Sequence, residues 1–383
     1  MIDSNSSAEI ISSNQDLLIQ ILIRLPAKPL IRFKSISKRW FSLISCRQFC
    51  SLHTLQNPNK TTSGLFLRKS FQEFQFLSYE NSKSSKSVPP FTSLDFTNDP
   101  AGIKILQSCN GLLLCSSLFT MGTTRRYYIY NPTTKQFSTL PTILDATSST
   151  ILGMNLAFDP SISFHYKVIC IRSMPTSIYY HQIVEYYSQV GSWHVCGSPF
   201  VGPHDMVFDN GVFWNGAMHW IGTAGNVMCY NVDRQCFVSM PKRPFLEGRG
   251  KKKCRYFGES GGHLFLIEFY GSCASNFKVF EMEKDSSEWD VMCQVDLSHV
   301  LQEFPEMARS HHAFVVLCVV RGEGEEGSPL VLLHIPGKVI CYDLKEKTCK
   351  KVYELGICGN SNKGSLQFGW FDAYPFVENL ACV

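Results

Sequence analysis

The stretch DLLIQILIRLPAKPLIRFKSISKRWFSLI, residues 16–44, decides how this chain is read. Its first part is apolar at Leu17, Leu18, Ile21, Leu22 and Leu25, a helical stripe, and Ile19 and Ile23 add a second strip. At about 100° per residue the apolar arc covers roughly 240°, leaving Asp16, Gln20 and Arg24 on the polar side. Ser13 followed by Asp16 offers a capping box ahead of the run. Pro26 is expected to end this helix at Leu25, because it lacks a donor and crowds the preceding turn. Pro29 suits the first turn of a second helix carrying Leu30, Ile31, Phe33 and Ile36. Ser37 can cap a third, with Trp40, Phe41, Leu43 and Ile44 as its apolar positions. Three short helices in about forty residues cannot bury that much apolar surface among themselves. Either the rest of the chain covers the excess or a partner does, and the arc alone leaves both open.

The same residues resemble the F-box of plant F-box proteins. The match runs through Leu25-Pro26, Arg32-Phe33-Lys34 and Ser37-Lys38-Arg39-Trp40, several rigidly spaced features within about thirty residues. The resemblance implies docking on a Skp-type adaptor, which links such proteins to a cullin–RING ubiquitin ligase. It also implies adaptor contacts at Asp16, Leu17, Leu18, Ile21, Leu22, Leu25, Pro26, Leu30, Phe33 and Trp40. One departure stands out. The family usually carries Leu-Pro directly before the first helix, and Ser13 and Asn14 stand there instead, which removes an apolar contact. Residues 13–47 hold seven Lys or Arg against one acid, Asp16. These cations are dispersed over three helices and do not line one recognition face, which argues against nucleic acid. They suit an acidic adaptor, whose encounter they would speed.

The composition is that of an ordinary water-soluble chain: 383 residues, 44% hydrophobic, 18% charged, net charge +4. The 13% aromatic content leans towards β-structure, where flat rings pack well on a pleated face. Sixteen cysteines sit singly in apolar runs, as at Cys115, Cys170, Cys229, Cys318 and Cys341, and no C-x-x-C occurs. They read as buried thiols and not as disulfides or metal ligands. The opening MIDSNSSAEI lacks the basic and apolar regions of a signal peptide. A reducing compartment, cytoplasmic and/or nuclear, is therefore expected. No apolar run approaches the roughly 20 residues that span a bilayer, so no membrane association is expected.

From Gly64 onward, short β-rich runs alternate with turns. One unit recurs: an apolar strand ending in an aromatic, then Asn or Asp and a polar turn, then a returning strand. It is clearest at Tyr128-Ile129-Tyr130-Asn131 with Phe137 on the return, and at Met228-Cys229-Tyr230-Asn231 with Phe237 at the same offset. Looser copies centre on Tyr187, Phe280 and Tyr342. The five markers are 57, 43, 50 and 62 residues apart, scattered about the ~50 of kelch-type blades, each a four-stranded sheet. Asn110-Gly111, Asn210-Gly211 and Gly261-Gly262 precede apolar strands, as hairpin turns do. An irregular sandwich or barrel is the competing architecture. The region also resembles the F-box-associated domain of plants, through SCNGLLLC (108–115), YYIYNPTTKQFSTLP (127–141), NGVFWNGAMHWIG (210–222) and AYPFVENL (373–380), the last like its closing strand. That resemblance implies a kelch-like propeller whose exposed loops meet the substrate.

Three motifs mislead. Gly322 to Gly327 spells G-x-G-x-x-G, but a strand follows it and its glutamates would repel phosphates. His311-His312 are neighbours on a strand, so they point to opposite faces. The basic run Arg249 to Arg255 reads as a solvated loop, with a nuclear signal or an acidic-substrate contact as alternatives.

The expected protein is mainly β with a small α module: a three-helix F-box over residues 10–53, then a kelch-like β-propeller over residues 62–383. The boundary falls near residues 53–62, where Asn57-Pro58-Asn59-Lys60 has turn chemistry. The expected function is the substrate-recognition subunit of a ubiquitin ligase, non-catalytic, without cofactor or metal, with a Skp-type adaptor and an unidentified protein substrate as partners. The rivals are a propeller acting outside the ligase with a degenerate F-box, and a propeller hydrolase. Leu25→Asp should weaken the adaptor complex by several kcal/mol by burying an unpaired charge. Titration of the variant against the adaptor checks this, and a wild-type affinity would move the interface elsewhere.

Overall fold

The computed structural model describes residue 11 and residues 14–57, 62–70, 73–78, 89–118, 125–143, 150–175, 177–223, 225–241, 253–269, 276–286, 288–309, 314–321, 328–355 and 366–383. The three misleading motifs fall outside these residues, apart from the backbone of Lys253, Cys254 and Arg255.

Helices occupy the N-terminal part: α1 (Gln15–Leu22), α2 (Ala27–Phe33), α3 (Lys38–Ser45) and α4 (Arg47–Gln56). Among the described residues 14–57, four helices therefore stand where three were expected, since a new helix starts directly after Cys46. Asn14, not Ser13, caps α1; its side-chain oxygen accepts from the backbone N–H of Asp16 and Leu17 at 3.1 and 3.2 Å. Regular helix ends at Leu22, three residues earlier than Pro26 suggested. Arg24 and Leu25 close a tighter turn on the carbonyls of Ile21 and Leu22. Ser37 caps α3 as read, accepting from the N–H of Trp40 at 3.2 Å.

The remainder is a ring of six antiparallel sheets. The N-terminal strands β1 (Gly64–Arg68) and β2 (Phe74–Ser78) are followed by a first full blade of β3 (Ile103–Cys109), β4 (Leu112–Ser117), β5 (Tyr127–Asn131) and β6 (Gln136–Thr139). The second blade is β7 (Ile151–Ala157), β8 (Lys167–Met174), β9 (Ser177–Tyr187) and β10 (Ser192–Val201). The third is β11 (Val212–Trp214), β12 (Ala217–Ile221), β13 (Val227–Asn231) and β14 (Cys236–Val238). The fourth is β15 (Lys253–Ser260), β16 (His263–Phe269), β17 (Asn276–Met282) and β18 (Asp290–Asp296). A short helix α5 (Ser298–Glu303) leads to the fifth, β19 (Val315–Val320), β20 (Leu330–Ile335), β21 (Lys338–Asp343) and β22 (Cys349–Glu354). The last strand, β23 (Ala373–Phe376), returns to the beginning of the chain and pairs with β1, from Gly64 opposite Phe376 to Leu67 opposite Ala373. The closing blade thus has strand order β2-β1-β23, and a single bridge between Glu73 and Ser93 borders β2.

All five marker aromatics lie on the third strand of consecutive blades. Four of them fill the layers between blades: Tyr130 between the closing and first blades, Tyr230 between the second and third, Phe280 between the third and fourth, and Tyr342 in the large layer spanning the fourth, fifth and closing blades. Tyr187 has a polar duty. Its hydroxyl, and that of Tyr230, donate to the fully buried carboxylate of Glu185 at 2.6 and 2.8 Å. The Asn or Asp after three of the markers also has a local cause. Asn131, Asn231 and Asp343 accept backbone N–H groups two or three residues on, forming Asx turns. Four residues after each, Lys135, Gln235 and Lys347 take a left-handed conformation with φ of 59°, 54° and 54°. The repeat is therefore a turn chemistry imposed on a packing position.

Of the three expected hairpin turns, Asn110-Gly111 and Gly261-Gly262 are such turns. Asn210-Gly211 is not: Asn210 ends a 3-10 turn (Phe208–Asn210) on the crossing from β10 to β11. There the Gly211 N–H donates to Asn155 on β7, and a Cβ at Gly211 would meet that side chain at 2.3 Å. The third-blade hairpin is instead Asn215-Gly216, with φ of 48° and 72°.

Two buried imidazoles are part of the blades. His219 on β12 donates from Nδ1 to the Val212 carbonyl, which leaves Nε2 to accept the Cys229 thiol at 3.3 Å. His334 on β20 is fully buried against Phe368. Burial holds both at a pKa of about 4. Unfolded, they would protonate near pH 6.5. The folded form is thus favoured fully above pH 6.5, and each histidine withdraws up to about 3 kcal/mol as pH falls from there towards 4. Urea midpoints measured from pH 7.5 to 4.5 should fall in the wild type. The profile should flatten in a His219→Gln, His334→Gln variant.

Candidate functional site: an apolar helical face and its anchor

The four helices share one core, formed by Leu18, Leu22, Ile23, Ala27, Leu30, Leu43, Ile44, Phe49 and Cys50, with Phe33 and Trp40 meeting edge to face at 5.6 Å. The end of α1 leaves carbonyls without helical partners. His53 Nε2 donates to the Leu25 carbonyl at 2.8 Å, and Asn57 donates to that of Ile23 at 2.7 Å. Helix α4 thereby ties down the turn before Pro26.

This core sorts the ten expected contact residues. Asp16, Leu17, Ile21 and Pro26 are exposed, while Leu25, Phe33 and Trp40 are half-buried. Leu18, Leu22 and Leu30 are buried in the module's own interior, where they hold the helices together. Two large side chains were overlooked. Ile36, in the turn after α2, is 58% exposed, and Phe41 on α3 is 57% exposed. Both stood in the helical pattern, but only the packing of α3 on α1 and α4 tells which apolar positions point outward. Leu17 and Ile21, one turn apart on α1, are exposed at 45% and 47%, and Leu52 and Leu55 on α4 are each 42% exposed.

The chain's own C-terminal residues also pack on the module. After β23 the C-terminal residues cross the first blade, where Asn131 donates to the Asn379 side chain at 2.9 Å and to the Ala381 carbonyl at 2.8 Å. Asn379 in turn donates to the Asn110 carbonyl, close under Gly111, where φ is 88° and a Cβ would strike Asn379 at 2.2 Å. Held this way, Leu380 enters the helical core and is fully buried, while Ala381 enters the layer between the first and second blades. Cys382 packs on the helices too. A hydrogen bond from the Cys50 thiol, aided by the charges of Arg47 and Lys34, lowers Cys382 to about 7 against the opposing effect of burial. The excess apolar surface read from the sequence is therefore divided: the tail covers part of it, and part stays exposed.

Strand direction sets where the module lies. First-to-second and third-to-fourth strand turns lie at one end of the ring, and second-to-third turns and blade crossings at the other. The chain enters β1 and leaves β23 at the first of these ends, so the helices sit there. The far end is free of them. Within the third blade the Cys229–His219 contact has the residue types of a nucleophile and base. Burial raises the thiol to about 12 and depresses the imidazole, however, so both are neutral and enclosed. Among the described residues no group of three His, Cys, Asp or Glu is arranged to hold a metal ion, and no helix is long and apolar enough to cross a membrane. Thirteen of the cysteines among these residues are free thiols, with Cys115, Cys170, Cys229 and Cys318 buried as read, Cys341 partly so, and Cys46 and Cys236 exposed.

Leu380→Ala should cost the joint about 2–5 kcal/mol by leaving a cavity between tail and helices. Hydrogen exchange should then quicken in α1, α3 and α4 while β16 and β20 keep their protection.

Residues 14–52 match the family described as the F-box domain, and residues 63–368 match the F-box associated beta propeller domain. F-box protein At5g07610 of Arabidopsis thaliana is 34% identical, over 99% of this chain and 94% of its own length. F-box protein At5g49610 of the same plant is 24% identical, over 95% of this chain and 96% of its own. Among solved structures, that of a prolyl endopeptidase matches 92% of this chain and 43% of its own at 9% identity, with a TM-score of 0.39, too low to carry an argument. The chain belongs to the plant F-box proteins that carry an F-box-associated β-propeller domain.

Proposed function

We propose that this protein is the substrate-recognition subunit of an SCF-type cullin–RING ubiquitin ligase. Its helices dock on a Skp-type adaptor and its propeller binds the protein to be modified. The observation that carries this reading is the exposure of the apolar residues Leu17, Ile21, Ile36 and Phe41 on a module whose core already takes in Leu380 of the tail. Exposed apolar residues gathered on one small unit mark a protein interface. We assign Leu25, Pro26, Phe33 and Trp40 to the border of that interface and Asp16 to its polar edge. The dispersed cations of α1 to α3 fit an acidic partner.

The mode of action is proximity. A target held by the propeller and a charged ubiquitin carrier held by the ligase meet at a raised effective concentration, and the chain supplies no reacting group. The neutral, enclosed Cys229–His219 pair accords with a non-catalytic role. We read the blades as kelch-like from the third-strand aromatic and its Asx turn, and the two domains as residues 10–53 and 62–383. The free thiols suit a reducing compartment, the cytosol or the nucleus.

Ile21→Asp should leave the fold intact, since the side chain already meets water, yet weaken adaptor binding by roughly 2–4 kcal/mol. The test is calorimetric titration of full-length wild type and variant with a purified plant Skp-type adaptor. No complex with the wild type at micromolar concentration would defeat the proposal and favour a propeller working outside the ligase.

A further inference from the structure

The joint between tail and helices also brings two sulfurs together from opposite ends of the chain. Cys50 on α4 belongs to the helical core, and Cys382, just beyond the plug Leu380, packs against that core from the tail. The Cys50 thiol lies 3.4 Å from the Ile44 carbonyl and within hydrogen-bonding reach of the Cys382 sulfur. The two differ in access: Cys50 is 4% exposed, whereas Cys382 is only partly covered. They differ in charge too. The hydrogen bond from Cys50, with Arg47 and Lys34 adding to it, lowers Cys382 to about 7 although burial opposes this. The same hydrogen bond, then burial, pushes Cys50 up, with the Cys382 charge and Cys46 adding and Lys34 opposing. Cys382 is therefore the thiolate that solvent reaches, and Cys50 is the enclosed thiol behind it. Elsewhere burial raises the thiols, as at Cys115, Cys170, Cys229 and Cys349.

We propose that Cys382 is an oxidation site for hydrogen peroxide, and that its oxidised form passes to a disulfide with Cys50 that fastens the helices to the propeller. The Cys382 thiolate attacks one peroxide oxygen: an S–O bond forms, the O–O bond breaks, and the leaving hydroxide takes a proton from solvent. Cys50 then attacks the sulfenic acid so made. An S–S bond forms, the S–O bond breaks, and the hydroxyl leaves as water with the Cys50 proton. The sulfurs together lose two electrons and the peroxide gains them. A disulfide needs its sulfurs about 2.05 Å apart. Cys382 lies on no helix or strand, so the tail can close on Cys50 without breaking a ladder. The consequence follows from the neighbours. Leu380 holds the joint by packing, which can open, whereas a bond one step further along the tail cannot. Disulfides that arise in a reducing compartment are of this transient, redox-sensing kind.

The test uses the full chain, reduced, freed of reductant and exposed to hydrogen peroxide. Its mass should fall by two hydrogens, and peptide mapping without reduction should link Cys50 to Cys382. Amide exchange in α1, α3 and α4 should slow at least about fivefold against the reduced chain and recover with dithiothreitol. Cys382→Ser, a change at a partly exposed site, should keep the thermal transition and lose both the link and the slowing. Cys50→Ser should leave a sulfenic acid on Cys382 that dimedone captures, and Cys46→Ser should still form the link. A Lys34→Gln, Arg47→Gln variant should react roughly threefold or more slowly at neutral pH, and Lys34→Arg, Arg47→Lys should restore the rate. Oxidation mainly at other cysteines, a link made by Cys46, or no link at excess peroxide would overturn the proposal. A link that leaves exchange unchanged would overturn the fastening. None of these readouts uses the adaptor, so they hold whether or not the helices dock in a ligase.

Discussion

The pairing of β23 with β1 is the constraint on which the rest depends. A propeller of separate sheets buries its strand faces only between neighbouring blades, so an open ring would leave two faces in water. The chain closes the ring by lending its last strand to its first blade, where Phe66, Phe376 and Phe76 stack within 6 Å of one another. This pairing joins residues some three hundred positions apart and forms late by any loop-closure argument. The residues after β23 extend the closure outward. Asn131 and Asn379 hold them to the first blade, and Leu380 plugs the helical core. One C-terminal segment therefore closes the ring and anchors the helices.

That anchoring bears on how the protein works. A recognition subunit acts by holding two bodies at a useful distance, and a freely swinging linker would lower the effective concentration it can deliver. Here the joint is packed: Leu380 lies in the helical core, Ala381 lies between two blades, and Arg47 of α4 stands near His165 and Tyr166 at a turn of the second blade. The exposed apolar residues Leu17, Ile21, Ile36 and Phe41 belong to the helical module held in this way.

Much of this was legible in the sequence, and the reasons differ by element. The third-strand markers were readable because each couples a packing position to a local turn chemistry, and both leave a residue signature. The helical module was readable because Asn14, Ser37 and the prolines act locally. What the residues alone left open shares one cause. Leu18, Leu22 and Leu30 look the same in a helical stripe as Leu17 and Ile21, and the difference is which side α3 and α4 occupy. Asn210-Gly211 reads like Asn110-Gly111, yet it holds a crossing against Asn155. The role of Leu380 left no local signal, because its partners are more than three hundred residues upstream.

Local chemistry written along the chain determined the existence of the helices, the blade repeat and most of the turns, because caps, Asx turns and strand periodicity need only near neighbours. Tertiary structure alone decided the number of blades, the strand that closes them and the side of the helical module left in water. It also brought Asp209 near Lys104 and Arg125. Those outcomes depend on contacts between distant segments, and no residue type along the chain encodes which distant surface it will meet.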